Sequence, residues 1–202
     1  MIRNVIFDFG QVLVRFEPDY MVGVYVSDSE DKALICEVVF DRLYWNDLDS
    51  GALGHDEAFE LMRQRLPLRL WDVARRIYDD WVVNLPEIEG MRELILHIKR
   101  RYEASCFVLS DISIYFAENS HRVPILSLVD GAVFSGNIGI TKPDKRIYEH
   151  ILDKFGLDPA ETVFIDDKPA NIAGAEAVGI KGYVFDGDSK RLLSWLEREM
   201  GA

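Results

Sequence analysis

The sequence has little cysteine and no long apolar run. Its 202 residues include two cysteines, Cys36 and Cys106, which are far apart and form no CxxC pattern. We therefore expect reduced thiols and a cytoplasmic location, not a disulfide framework. No apolar stretch approaches the roughly 20 residues of a membrane-spanning helix. Asp8 interrupts the first apolar segment, which argues against a signal peptide.

Positive charge is also scarce. The chain has 23 Lys and Arg against 35 Asp and Glu, which gives a net charge of −12. A field of this sign repels phosphate backbones and anionic lipids, so we expect neither nucleic acid nor a membrane surface as a partner. A small anionic substrate stays compatible, because a few local donors overcome a diffuse field. The sequence leaves the oligomeric state open, a homodimer included.

What is present is the composition of a globular domain, with 49% hydrophobic and 29% charged residues. Several apolar stretches run without alternation, which is typical of strands buried on both faces of a parallel sheet. Five such stretches are predicted strands: 4–9, 105–110, 131–135, 162–166 and 182–185. Helical patterns lie beside them at 87–102, 142–156, 168–179 and 189–200. This alternation predicts an α/β fold, a Rossmann-like and mostly parallel sheet of about five strands.

One interval carries helical patterning only. From residue 17 to residue 85 no convincing strand occurs, directly after the first predicted strand. We interpret this interval as an inserted helical cap that packs on the rest of the chain. The predicted domains are thus a core of residues 1–16 and 86–202 and a cap of residues 17–85.

Polar side chains stand where three of the predicted strands end. Asp8 closes the first strand, Ser110 closes the second, and Asp166 and Asp167 follow a later one. In open α/β sheets ligands bind outside the carboxyl ends of the strands, so we expect these side chains to meet. Converging carboxylates repel one another unless a cation joins them, and Mg²⁺ fits such oxygen ligands together with a phosphate. Lys142 supplies a positive charge suited to a transferring phosphoryl group.

Four segments resemble, in order, the motifs of the haloacid dehalogenase-like (HAD) hydrolases. They are FDFGQVLV (7–14), VLSDI (108–112), TKPDKRIY (141–148) and VFIDDKPANIAGAEAVG (163–179). Each motif alone is weak, but the ordered set is specific and spans essentially the whole chain. Within the superfamily, the DxG of the first motif and WNDLDSG (45–51) look most like the bacterial glucose-1-phosphate phosphatases and the phosphatase domain of soluble epoxide hydrolase.

The resemblance implies roles in phosphoryl transfer for three positions. Asp8 would be the nucleophile that forms an aspartyl-phosphate. Ser110 would donate a hydrogen bond to the phosphoryl oxygens. Lys142 would hold the phosphate and Asp8 together.

The resemblance also implies a Mg²⁺ site. Asp8, the backbone carbonyl of Gly10 and Asp167 would be metal ligands, with Asp166 beside them as a ligand or as a group just behind the ligands. Asn171 matches a polar position that braces this site in the family.

The chain departs from the family at Gly10. The family usually has a second aspartate there, which protonates the leaving group and then activates water. A general acid contributes about 10²–10⁴-fold to a rate, so its absence matters. Gln11 is neutral and only orients water, and Glu17 and Asp19 are the nearby acids that we consider as replacements.

The tryptophans of the cap are expected in its core, with one exception. Trp45 is a candidate substrate contact, because WNDLDSG resembles a cap stretch that faces the active site. The four histidines show no metal-binding spacing and receive no role.

We predict a Mg²⁺-dependent phosphatase that hydrolyses a small phosphorylated metabolite, a sugar phosphate, through an aspartyl-phosphate on Asp8. Three alternatives stay open. A haloacid dehalogenase shares the nucleophile, but its fourth motif usually has Ser and Asn where this chain has Asp166 and Asp167. A phosphomutase typically relies on the aspartate missing at Gly10. A non-catalytic binding protein would have kept the fold and lost the chemistry at that position.

Overall fold

The computed structural model describes residues 1–201. Within them five strands form one sheet in the order β3-β2-β1-β4-β5, and every pairing is parallel. The strands are β1 (Asn4–Phe7), β2 (Ser105–Ser110), β3 (Gly131–Phe134), β4 (Thr162–Asp166) and β5 (Lys181–Val184). The predicted α/β fold with a five-stranded parallel sheet is confirmed.

Helices surround the sheet and fill the interval between β1 and β2. Between β1 and β2 lie α1 (Pro18–Gly23), α2 (Ser29–Val39), α3 (Arg42–Asp49), α4 (His55–Arg63), α5 (Trp71–Asp80) and α6 (Met91–Tyr102). After β2 follow α7 (Ile114–Asn119), α8 (Ser135–Ile138), α9 (Lys145–Phe155), α10 (Pro169–Glu176) and α11 (Ser189–Gly201). Short 3₁₀ turns occur at Leu68–Leu70, Trp81–Val83, Ser120–Arg122, Pro124–Leu128 and Pro159–Glu161.

The sheet is buried between two apolar layers. Successive side chains of a strand point to opposite faces, so Val5 and Phe7 of β1 join one buried cluster and Ile6 joins the other. The Ile6 cluster packs under α9 and α10, through Ile147 and Ile172 among others. The opposite cluster continues through α6 and α11 into the cap. Burying one such side chain contributes about 1.5–3 kcal/mol, so both layers hold the strands firmly in place.

The cap contains only helices among its described elements, as its sequence pattern predicts. An aromatic stack joins it to the core. The ring of His55 on α4 lies between those of Tyr78 on α5 and Tyr115 on α7, with centroid distances of 4.1 and 3.5 Å. His55 Nε2 also lies 2.8 Å from Asp79 Oδ1. The division into a core and a cap stays a prediction, because one apolar cluster runs through both.

Several element boundaries differ from the predicted ones by a few residues. β1 ends at Phe7 instead of residue 9, because the Phe9 amide turns to the Asp8 carboxylate and leaves the ladder. The helix predicted from residue 87 begins at Met91, since Gly90 before it has φ of 82° and Glu87 forms an extended bridge with Val14. Among the helices of residues 1–201, none combines the length and the apolar character that crossing a bilayer requires.

Candidate active site

The site is built at the carboxyl edge of three adjacent strands, β2, β1 and β4. Asp8 directly follows β1, and its amide donates to Ile165 O of β4 at 2.8 Å. Its Oδ1 accepts from the Phe9 amide at 2.7 Å and lies 2.9 Å from Lys142 Nζ. Within residues 1–201 these contacts all reach Oδ1, which leaves Oδ2 as the oxygen available for attack.

Lys142 is the buried cation of the site. Its Nζ donates to Asp166 Oδ2 at 2.8 Å and to Leu109 O at 3.2 Å, in addition to its contact with Asp8. Its backbone amide donates to Asp111 Oδ1 at 2.9 Å. The ammonium is therefore fixed between the ends of β1, β2 and β4.

Asp166 is fully buried at the end of β4, and both its oxygens accept hydrogen bonds. Asn171 Nδ2 on α10 lies 3.0 Å from each of them, and the Lys168 amide donates to Oδ1 at 2.8 Å. Asn171 thus braces Asp166, as the resemblance implies. Because its oxygens are already engaged, Asp166 suits a place behind the metal ligands better than a place among them.

Electrostatics in the site depend on this burial. Burial opposes the charge on Lys142, but Asp8, Asp166 and Asp111 outweigh it and raise the pKa of the ammonium above its ordinary value. Burial raises the pKa of Asp8 to about 6, and Asp166 adds to this while Lys142 counteracts it. An added positive charge beside Asp8 would return the carboxylate to its ionised form.

The residues fit a divalent cation. Oxygen atoms of Asp8, Asp166 and Asp167 lie within 4.8 Å of one another, and Asp167 is only half buried. Three carboxylates around one buried lysine leave an excess of negative charge, and oxygen is the ligand atom that Mg²⁺ prefers. The donor set therefore accepts a hard dication.

A cavity of about 410 Å³ opens above these residues. The core contributes Asp8, Gly10, Ser110, Asp111, Lys142, Asp167 and Lys168 to its wall, among others. The cap contributes Phe40, Arg42, Trp45, Asn46, Asp49, Ser50, Trp81 and Leu85. Trp45 lies in the wall, with its indole N–H donating to Val39 O at 2.9 Å, and its role as a substrate contact stays a prediction.

The two acids that the sequence analysis considers as replacements at Gly10 lie elsewhere. Glu17 and Asp19 line a separate surface groove with Lys32. Asp19 pairs with Lys32 at 2.7 Å, and Glu17 lies 3.6 Å from Arg15. Neither acid lines the cavity above Asp8.

Sequence reasoning missed an acid in the cavity wall, Asp49. Burial, with repulsion from Asp111, raises the pKa of Asp49 to about 7. The residue closes α3, one helical turn after Trp45, and positions i and i+4 share a helix face. The sequence could therefore have indicated Asp49, because a residue four positions after a substrate-facing Trp45 lies on the same face of the helix.

The comparisons agree with this geometry. The model of the haloacid dehalogenase-like hydrolase family matches residues 2–179. The chain therefore belongs to the HAD-like hydrolases, and the recognition made from the four motifs is confirmed.

Individual relatives are distant but match over most of their length. A sesquiterpene phosphatase from Aspergillus oryzae is 25% identical over 184 residues, which cover 89% of this chain and 88% of that protein. A D-ribitol-5-phosphate phosphatase from Bacteroides thetaiotaomicron is 23% identical over 193 residues, 91% of each chain. The chain is thus an enzyme of a hydrolase family, and both relatives are phosphatases, in agreement with the predicted class.

Solved structures show the same fold. A HAD family enzyme from Bacteroides thetaiotaomicron, in complex with magnesium and inorganic phosphate, has a TM-score of 0.71 to this chain at 19% identity. The match covers 95% of this chain and 99% of that one.

Proposed function

We propose that this protein is a Mg²⁺-dependent phosphatase that hydrolyses a small phosphorylated metabolite, a sugar phosphate, through an aspartyl-phosphate on Asp8. The observation that carries the proposal is the buried ammonium of Lys142, held between Asp8 and Asp166 in the wall of the cavity. A lysine buried with two carboxylates costs desolvation energy that a purely structural role repays poorly.

The phosphoryl group would lie at the strand edge. Asp8 Oδ2 would attack phosphorus while Oδ1 stays fixed by Phe9 and Lys142. The Lys142 ammonium and the Ser110 hydroxyl would face the phosphoryl oxygens, where charge develops in the transition state. The Ser110 role rests on its place in the cavity wall at the end of β2.

Asp8, Asp167 and the carbonyl of Gly10 would hold the metal, with Asp166 and Asn171 bracing them from behind. Bound Mg²⁺ supplies charge neutralisation for the phosphoryl group and for the carboxylates. The magnesium and phosphate complex of the structurally similar Bacteroides enzyme supports Mg²⁺ as the ion.

The cavity wall supports a substrate with both polar and apolar parts. Arg42, Asn46 and Lys168 offer polar contacts, while Phe40 and Trp45 stack on each other at 5.7 Å in the same wall. The ribitol-phosphate phosphatase supports a polyol or sugar phosphate. The apolar wall makes a terpenyl phosphate the second candidate, as in the Aspergillus relative.

The test is phosphate release from sugar phosphates, a prenyl phosphate and p-nitrophenyl phosphate, with and without Mg²⁺. We expect Mg²⁺-dependent release that Asp8→Asn lowers by at least about 10³-fold, since the nucleophile is removed. Asp153→Asn, on the exposed face of α9, is the matched control and should match the wild type.

Two results would contradict the proposal. Release by Asp8→Asn at the wild-type rate would exclude the covalent route. Halide release from a 2-haloacid without Mg²⁺, together with inactivity on every phosphate ester, would assign the site to dehalogenation.

A further inference from the structure

We propose that Asp49 of the cap is the general acid and base of the reaction, in the role that a second aspartate at Gly10 would have. The inference rests on the proposed phosphatase function and adds to it a catalytic residue from outside the four motifs. Its basis is the position of Asp49 in the wall of the same cavity as Asp8, Ser110 and Lys142.

In-line displacement fixes where the acid must stand. The nucleophile Asp8 and the leaving oxygen lie on opposite sides of phosphorus. Asp8, Ser110 and Lys142 all belong to the core edge of the cavity. The leaving oxygen therefore points away from the core and toward the cap, so its proton donor must reach it from the cap side.

The cap offers one suitable proton donor in this wall. Its polar contributions to the cavity are Arg42, Asn46, Asp49 and Ser50. A guanidinium does not give up its proton in proteins, and amide and hydroxyl side chains are not acids near neutral pH. Asp49 alone among them is a carboxylic acid.

Hydrogen bonds through the Ser135 side chain fix the backbone of Asp49 relative to the segment that follows Ser110. Ser135 Oγ donates to Asp49 O at 2.5 Å, and the amide of Ile112, two residues after Ser110, donates to Ser135 Oγ at 2.9 Å. Gly51 packs on α8 so closely that a Cβ there would lie 2.5 Å from Gly136 O. This clamp, formed by Asp49, Gly51, Ser135 and Gly136, ties the end of α3 to the core.

The charges that face Asp49 favour its protonated form. Burial is the main cause, and Asp111 and Asp8 repel its negative charge from the core side. Arg42 on its own helix and Lys168 beyond β4 oppose the shift, and the resulting pKa of about 7 lets the group both give and take a proton near neutral pH.

The proton balance closes over one turnover. As Asp8 Oδ2 bonds to phosphorus, the bond to the leaving oxygen breaks and that oxygen takes the proton of Asp49, releasing the alcohol. Water then attacks the aspartyl-phosphate and gives its proton to the Asp49 carboxylate. The bond between phosphorus and Asp8 breaks, phosphate leaves, and Asp49 is protonated again.

Asp111 is a further carboxyl group in the wall whose pKa is raised, mainly by burial. It accepts from the Lys142 amide and follows Ser110 directly, which places it on the phosphate side. Asp111→Asn should therefore lower activity on all esters alike.

The test compares kcat/KM for two leaving groups in the full chain with Mg²⁺. An alkyl phosphate needs a protonated leaving oxygen, whereas p-nitrophenolate leaves as a stable anion. We expect Asp49→Asn to lower kcat/KM about 10²–10³-fold for a sugar phosphate and under about 5-fold for p-nitrophenyl phosphate. The fall of wild-type kcat/KM for the sugar phosphate above about pH 7 should be absent from the variant. Asp47→Asn, an exposed carboxylate on the same helix, should match the wild type.

Equal losses on both esters, or full activity on the sugar phosphate, would overturn the role of Asp49 while leaving the phosphatase intact. Absence of phosphate release by the wild type on every ester would overturn the phosphatase itself, and the role of Asp49 with it. A retained kcat/KM for p-nitrophenyl phosphate, which reports formation of the aspartyl-phosphate, shows that the variant is folded.

Discussion

The two walls of the cavity are built on different principles. On the core side, Asp8, Lys142 and Asp166 form a buried network in which each charged group has a charged partner within 3 Å. On the cap side, Asp49 is half-buried and forms no ion pair within residues 1–201, and desolvation pushes its carboxyl group toward the neutral form. The core wall therefore presents a fixed ammonium to the phosphoryl group, while Asp49 favours its protonated form. In the proposed mechanism the core supplies charge and the cap supplies the proton.

Lys142→Met should break the core wall most severely. It leaves Asp8 and Asp166 buried without their cation, which costs about 3–5 kcal/mol of unfolding free energy. It should also lower phosphate release by about 10³-fold, since the charge facing the phosphoryl group is lost. Urea denaturation and phosphate release check both effects.

Lys145→Met, an exposed lysine three positions away, is the matched control. A stability loss under about 1 kcal/mol in Lys142→Met would show that Lys142 does not hold Asp8 and Asp166 together.

An aspartate at position 10 of the core wall should replace Asp49 as the proton donor. Gly10 has no positive φ, and a Cβ built there would meet nothing within 4 Å, so an aspartate fits. We expect Gly10→Asp, added to Asp49→Asn, to raise the kcat/KM for the sugar phosphate about 10–10²-fold above that of Asp49→Asn alone. Gly10→Ser in the same background controls for steric effects. Equal outcomes for the Asp and Ser variants would mean that proton donation is not what the cap supplies.

Asp49 should also affect stability in a pH-dependent way. Its pKa is raised on folding, so its contribution is fully present below its unfolded pKa and is lost as the pH rises through about 7. Asp49→Asn has no carboxyl group to ionise and therefore does not lose this stability as the pH rises. At pH 8, without metal, the variant should be about 1–2 kcal/mol more stable than the wild type, a figure reduced from the full shift because the group is partly exposed. Denaturation at pH 3 should show little difference, and a constant difference at all pH values would contradict the assignment.

The smallest effect concerns the clamp between the walls. Ser135→Ala removes the hydrogen bond to Asp49 O, worth about 1 kcal/mol. Sugar-phosphate kcat/KM should fall about 5-fold, and that for p-nitrophenyl phosphate should change little. Ser127→Ala, an exposed serine, serves as the control. Equal changes in kcat/KM on both esters would show that the clamp does not act through proton transfer by Asp49.

The core wall could be predicted from the sequence because its signals are local. Apolar runs end in Asp8, Ser110 and Asp166, and parallel strands bring such ends to one edge. The strand limits were less accurate, since Phe9 continues the apolar pattern while its amide turns to the Asp8 side chain.

The cap wall could not be predicted in the same way. The position of Asp49 depends on Ser135, which lies 86 residues further along the chain. In the sequence Asp49 looks like an ordinary aspartate at a helix end, and its raised pKa arises only from burial and from Asp111 in the folded protein. Glu17 and Asp19 were the natural candidates by distance along the chain, yet the fold directs both into a different groove.

The most direct test is to trap the phosphorylated nucleophile. Trypsin cleavage after Arg3 and Arg15 yields a peptide in which Asp8 is the only carboxylate side chain. After acid quench of p-nitrophenyl phosphate turnover with Mg²⁺, mass spectrometry should find a phosphoryl group on this peptide. Asp49→Asn should accumulate much more of it than the wild type, because the variant still forms the aspartyl-phosphate from p-nitrophenyl phosphate but hydrolyses it more slowly without the base. Phosphate release without any phosphoryl group on this peptide, in both proteins, would contradict the account.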